Sequence, residues 1–144
     1  MKISEFIDLV QFDSRKRTGV LLVDNQFKPV VSDFRASNAL VIDCTNLYQH
    51  ELLLTDDQLI YKLRSAIGEQ PVLVLNLELF IAPRLSDGFL DQFIRKMAAE
   101  EPRQALILLF YSKLIYSKFE QFYQRNPSTH QHTLDLSDGG FFNP

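Results

Sequence analysis

The chain has 144 residues, 46% of them hydrophobic, the size of one ordinary domain that buries roughly two-thirds of its unfolded surface in a single core. Its 15 basic and 18 acidic residues leave a net charge of −3, so the charge balance argues against nucleic acid as a partner. A single cysteine, Cys44, excludes an intramolecular disulfide and four-cysteine metal sites, and fits a reducing compartment.

The first residues, Met1-Lys2-Ile3-Ser4-Glu5-Phe6-Ile7-Asp8, carry acids where a signal peptide needs an uninterrupted apolar core. No stretch approaches the ~20 apolar residues of a membrane span, so a soluble cytoplasmic protein is expected. Ile3, Phe6, Ile7 and Val10 fall on one stripe of a short amphipathic helix ending near Phe12. The cluster Arg15-Lys16-Arg17 follows; as the only dense group of cations it is the one candidate for a contact with nucleic acid or an acidic partner, although three charges better suit a solvated helix end or turn.

Gly19-Val20-Leu21-Leu22-Val23-Asp24 reads as a first buried strand and Asp24-Asn25-Gln26 as the turn after it. A phosphate loop would need glycine there, and none is present. Pro29 can open a short helix with Val30, Val31 and Phe34, and Ala39 to Cys44 forms the second strand. Leu47 to Leu54 fits helix or loop. Thr55-Asp56-Asp57-Gln58 is a capping box opening a helix with Leu59, Ile60, Leu63 and Ile67 inward, stopped at Gly68.

Between Pro71 and Pro83 the apolar run Val72 to Ile81 predicts the central strand of a parallel sheet, buried on both faces. Ser86-Asp87-Gly88 starts a helix burying Phe89, Leu90, Phe93, Ile94 and Met97. A fourth strand spans Gln104 to Phe110 and a helix runs from about Ser112 to Gln124, broken at Asn126-Pro127-Ser128-Thr129. His132 to Leu136 alternates as a fifth, edge strand. The expected fold is α/β: a three-layer sandwich around a mainly parallel five-stranded sheet, P-loop-like or flavodoxin-like, over residues 1–137. Residues 138–144 form an aromatic tail after two glycines.

In such sheets ligands sit at the C-terminal edge. On one strand, Asn76 and Glu78 would share a face, with Glu78 nearer that edge. An acid there can hold magnesium through water in a nucleotide hydrolase, whereas the neutral Asn76 supplies no charge for the metal. The alternative gives Glu78 a loop amide or a helix start as its hydrogen-bond partner. Asp24 and Asp43, at two other strand ends, could join Glu78 around a divalent cation; without organised backbone donors, no metal or cofactor is assigned. Lys113 stands after the fourth strand, where phosphate-sensing groups occur. His50, His130 and His132 form no ligand set, and Cys44 reads as a small buried hydrophobe. Twelve Phe and five Tyr suggest more apolar surface than a small core absorbs, which hints at a partner; after two glycines, Phe141 and Phe142 can dock in a groove of their own fold, on a sister subunit or on another protein.

Two resemblances follow from these residues. Val20–Asp24, Val72–Glu78 and Gln104–Ser112 resemble the first strand, the Walker B strand and the sensor strand of AAA-type P-loop domains. Leu75 to Phe80 is similar to the corresponding stretch of the small P-loop accessory proteins of BREX-type bacterial phage-defence clusters. The glycine-rich loop is absent and Asn76 replaces the Walker B aspartate, so this resemblance implies a degenerate, non-catalytic scaffold that serves a larger defence subunit. Val20-Leu21-Leu22-Val23-Asp24-Asn25, Leu73–Leu79, Asp87-Gly88 and Ser112-Lys113 also resemble response-regulator receiver domains. Asn76 then occupies the place of the acceptor aspartate, which implies a pseudo-receiver. A nucleotide- or metal-dependent switch using Glu78 is the remaining alternative.

Overall fold

A computed structural model describes residues 1–24, 27–48 and 54–137. Five parallel strands form one sheet in the order β2-β3-β4-β1-β5: β1 (Thr18–Leu22), β2 (Leu40–Asp43), β3 (Val72–Leu75), β4 (Leu106–Phe110) and β5 (His132–Asp135). Three of them, β1, β3 and β4, are buried along their whole length. That explains why they read as unbroken apolar runs. The edge strand β2 is only partly covered, with Leu40 41% exposed. In the flavodoxin-like order 2-1-3-4-5, β1 lies between β2 and β3; here it lies between β4 and β5.

Helices cover both faces. The two faces of each strand alternate between two cores, as a two-residue period demands. Leu21, Val23, Leu73, Leu75, Ile107 and Leu109 pack with α1 (Ile3–Phe12) and α2 (Phe27–Ala36). On the opposite face Val20, Leu22, Val72, Val74, Leu106 and Leu108 meet α4 (Asp56–Ser65), α5 (Glu78–Ile81), α6 (Phe89–Ala99) and α7 (Lys113–Arg125). Against Gly19 of β1 the fit is so close that a Cβ would sit 2.7 Å from a methyl of Val10 and 3.3 Å from the His132 carbonyl. The capping box at Thr55 forms as expected: its hydroxyl accepts from Gln58 N and the Gln58 side chain accepts from Thr55 N.

The predicted strand Val72 to Ile81 is corrected. β3 ends at Leu75; Asn76 turns left-handed, with φ 62°, and α5 begins at Glu78. Asparagine tolerates that conformation because its short amide can bond locally. Beyond it, Leu77, Phe80 and Ile81 are buried while Leu79 is 39% exposed, a helical spacing within an apolar run. Asn76 and Glu78 therefore do not share a strand face. Ala82–Asp87 continues as a 3₁₀ turn, so α6 starts at Phe89 behind Gly88 (φ 72°), not at Ser86. Arg84 holds this turn in place, donating to the carbonyls of Phe80 and Leu54 and lying 3.8 Å over the Phe89 ring.

Smaller differences concern element ends. α2 begins two residues before Pro29 and runs ten residues, and a short helix α3 (Thr45–Tyr48) precedes residues 49–53. The Asn25-Gln26 turn, His50 and the tail with Phe141 and Phe142 lie outside the described residues. No helix among the described residues is long and apolar enough to cross a membrane.

Candidate functional site

The chain leaves β1 through α2 on one face and leaves the neighbouring β4 through α7 on the other. This reversal makes the C-terminal ends of β1 and β4 the topological switch point, where an open α/β sheet offers a crevice. Val23 closes the gap, donating its N–H to the Phe110 carbonyl at 2.9 Å. Asp24, half-buried, follows on the β1 side. Tyr111 and Ser112 follow on the β4 side, and the Ser112 hydroxyl caps α7 by accepting from Ile115 N at 3.2 Å.

Glu78 reaches this crevice from α5. Its Oε1 accepts from Tyr111 N and, at 3.1 Å, from Ser112 N. These are the amides at the start of α7, where the helix dipole favours a negative charge. Of the two expected roles, the geometry gives Glu78 the loop-amide and helix-start role.

One strand over, Asp43 and Asn76 form a second node. Asp43 Oδ1 accepts from Asn76 Nδ2 at 2.8 Å and from Thr45 N at 2.9 Å, and the same Asn76 nitrogen lies 3.2 Å from the Thr45 hydroxyl. The pairing of β2 with β3, which sets Asp43 beside Leu75, brings these groups together. Burial raises the Asp43 carboxyl, but the Asn76 amide, the Thr45 N–H and its hydroxyl outweigh it and hold the group below its ordinary value. Cys44 points inward, and burial, helped by the charge of Asp43, pushes its thiol up to about 12. Such a thiol is not a nucleophile at neutral pH.

The phenol of Tyr111 feels the charge of both nodes. Burial raises its pKa, and the negative charges of Glu78 and Asp43 raise it further. Around it the rim is apolar: Leu79 beside Glu78, Tyr111 itself and Leu114 in the first turn of α7 are 39%, 38% and 56% exposed. Lys113, exposed, opens α7 at the same rim. Asp24, Asp43, Asn76, Glu78 and Lys113 therefore all lie along one edge, bonded as two separate pairs of elements. Among the described residues, no three of His, Cys, Asp and Glu gather so that they could hold a metal ion.

The basic cluster lies at the other end of the sheet, before β1. Lys16 bonds Glu101 at 2.7 Å, and Arg17 donates to the carbonyls of Gln11 and Arg103. Two of the three cations thus fasten the loop that leads into β4. His132 pairs with Asp13 at 3.0 Å. Reading the sequence missed Tyr111, Thr45, Leu79 and Leu114; the helical spacing of Leu77, Phe80 and Ile81 was the available sign that Leu79 faces out. Compared with protein-family models, with curated proteins and with solved structures, the chain has no significant match.

Proposed function

We propose that the chain is a non-catalytic protein-interaction module, an adaptor or scaffold whose contact surface is the C-terminal rim of the sheet. One observation carries this reading. The Glu78 carboxylate is bonded to the amides of Tyr111 and Ser112, while Leu79, Tyr111 and Leu114 on the same two segments turn outward. Glu78, Asp43 and Asn76 at the rim find partners within the fold, and the apolar groups beside them are the ones offered to a partner.

The P-loop resemblance gains support from the sheet order. Its first, Walker B and sensor strands correspond to β1, β3 and β4, which are contiguous here. The receiver resemblance has no such support, because β1 does not lie between β2 and β3. On this reading the module is a degenerate P-loop-like subunit of a cytoplasmic bacterial assembly, such as a phage-defence system.

Capture from the host with the tagged chain, beside a Leu79→Ser/Leu114→Ser variant, tests the proposal. The expected result is a stoichiometric protein retained by the natural chain and lost by the variant at equal helical content. Equal capture by both would refute the rim as the contact surface. So would a melting temperature raised by ATP with magnesium, since a ligand at a hundredfold excess over its Kd stabilises by about 2.7 kcal/mol.

A further inference from the structure

A second surface lies on the flank of the α6/α7 layer, away from the rim. On α6, Asp91, Ile94 and Arg95 share one stripe; on α7, Lys118, Phe122 and Arg125 do the same at spacings of four and three. The two stripes border an open groove of about 290 Å³. Half-buried Phe122 and the largely buried Ile94 line it together with Gln121, three exposed cations and the single carboxylate of Asp91.

Two other cations on this side of the sheet are paired. Lys96, one residue from Arg95, is paired with Asp56 at 3.0 Å and Asp57 at 3.2 Å, and Arg64 with Glu100 at 3.3 Å. Among the described residues, Arg95, Lys118 and Arg125 have no carboxylate within ion-pair distance. A chain with net charge −3 thus gathers three unpaired cations around one groove that Phe122 partly lines. Because like charges in one cleft repel, an anionic occupant that relieves them is favoured, and Phe122 favours one that also carries an aliphatic side chain.

We propose that the α6/α7 groove binds a short acidic segment of a protein, with Glu or Asp side chains meeting Arg95, Lys118 and Arg125 and an aliphatic residue lying on Phe122. A nucleic-acid strand suits it less well, since a polyanion would meet the repulsion of an otherwise acidic surface while leaving Phe122 without an aliphatic partner. The proposal rests on the interaction-module reading only in taking the ligand to be a protein.

The test uses the isolated full chain and the fluorescent peptide Glu-Glu-Leu-Glu-Glu-Leu-Glu-Glu, read by anisotropy in 50 mM and 300 mM salt. Three exposed ion pairs are together worth about threefold to a hundredfold in affinity at low salt, so an Arg95→Gln/Lys118→Gln/Arg125→Gln variant should bind at least about threefold more weakly. The Gln counterpart of the peptide should lose as much. A Lys16→Gln variant should bind as the natural chain does, and added salt should weaken binding several-fold.

Absence of saturable binding, unchanged affinity in a triple variant of normal helical content, or equal binding of a lysine counterpart would overturn the proposal. So would tighter binding of a single-stranded octanucleotide. A concentration-dependent dimer abolished by the triple variant would put a second copy in the groove and overturn it as well. No host partner enters this assay, so its failure leaves the rim reading standing, and loss of the rim reading leaves the groove standing.

Discussion

Replacing Glu78 by alanine would take one carboxylate away from two backbone amides. Tyr111 N and Ser112 N both donate to the same oxygen, and they stand where α7 joins β4. Leaving a buried donor unsatisfied costs about 1–3 kcal/mol. Here Tyr111 is 38% exposed, so water can replace part of the loss at each amide; the low end applies, for a total of about 2–3 kcal/mol. At about 2.1 cal/mol/K of unfolding entropy per residue, 144 residues lose about 3 °C per kcal/mol, so the melting temperature should fall by about 7–10 °C. Glu78→Gln keeps an acceptor oxygen and loses only its charge, and should cost about 1 kcal/mol, near 3 °C. Calorimetry of the three proteins at neutral pH reads both values. An alanine variant melting within a degree of the natural chain would show that Glu78 does not hold the start of α7. The assignment of this carboxylate to the fold, rather than to a ligand, would then be wrong.

Other positions give independent checks. Gly19→Ala places a methyl 2.7 Å from a Val10 methyl with a backbone carbonyl behind it, so overpacking should destabilise the chain by about 1–3 kcal/mol in denaturant titration; a neutral change would mean that α1 rides loosely on β1. Asn76→Val loses the amide held by Asp43 and forces a branched residue to positive φ, which should cost about 2 kcal/mol or more, and Asn76→Gly less. The Asp43 carboxyl is lower in the folded chain than its unfolded value of about 3.9. Its contribution is therefore complete above that value and lost as pH falls through the folded one. Asp43→Asn should flatten this acid-side slope in melts between about pH 5 and 2, and an unchanged slope would count against the node. The Cys44 thiol, buried and pushed up to about 12, should react with a disulfide reagent at pH 7.5 only as fast as the chain opens.

The parts of the fold legible in the sequence are those where burial writes a period. Ile3, Phe6, Ile7 and Val10 announce α1, and all four are buried. The strands β1, β3 and β4 announce themselves by having no polar face. The same property misled at Val72 to Ile81. When every residue is apolar, the change from a period of two to one of 3.6 leaves little trace, and only the exposed position of Leu79 separates the two. Asn76 is the physical break, since its left-handed φ ends the strand. Strand order was not legible either. Right-handed crossovers restrict where β1 can lie but do not choose its neighbours; the packing of α1 and α2 against one face and of the other helices against the opposite face does.

The edge residues were found in part, for a reason that concerns distance along the chain. Position at strand ends marked Asp24, Asp43, Asn76 and Glu78, but sequence proximity paired Asn76 with Glu78. In the fold Asn76 bonds Asp43, 33 positions earlier, and Glu78 bonds Tyr111, 33 positions later. Each bond ties the end of one strand to the segment beyond its neighbour, from β3 to β2 and from α5 to the β4–α7 junction. Two groups that closeness in sequence placed together as one candidate ligand pair thus bond to two different segments. A carboxylate that holds the fold has to keep its partner in every state of the molecule, whereas a catalytic carboxylate has to exchange partners with substrate. For Glu78, exchanging partners would leave two helix-start amides open at once. On the interaction-module proposal, the outward apolar rim beside these bonds is the place where binding is expected.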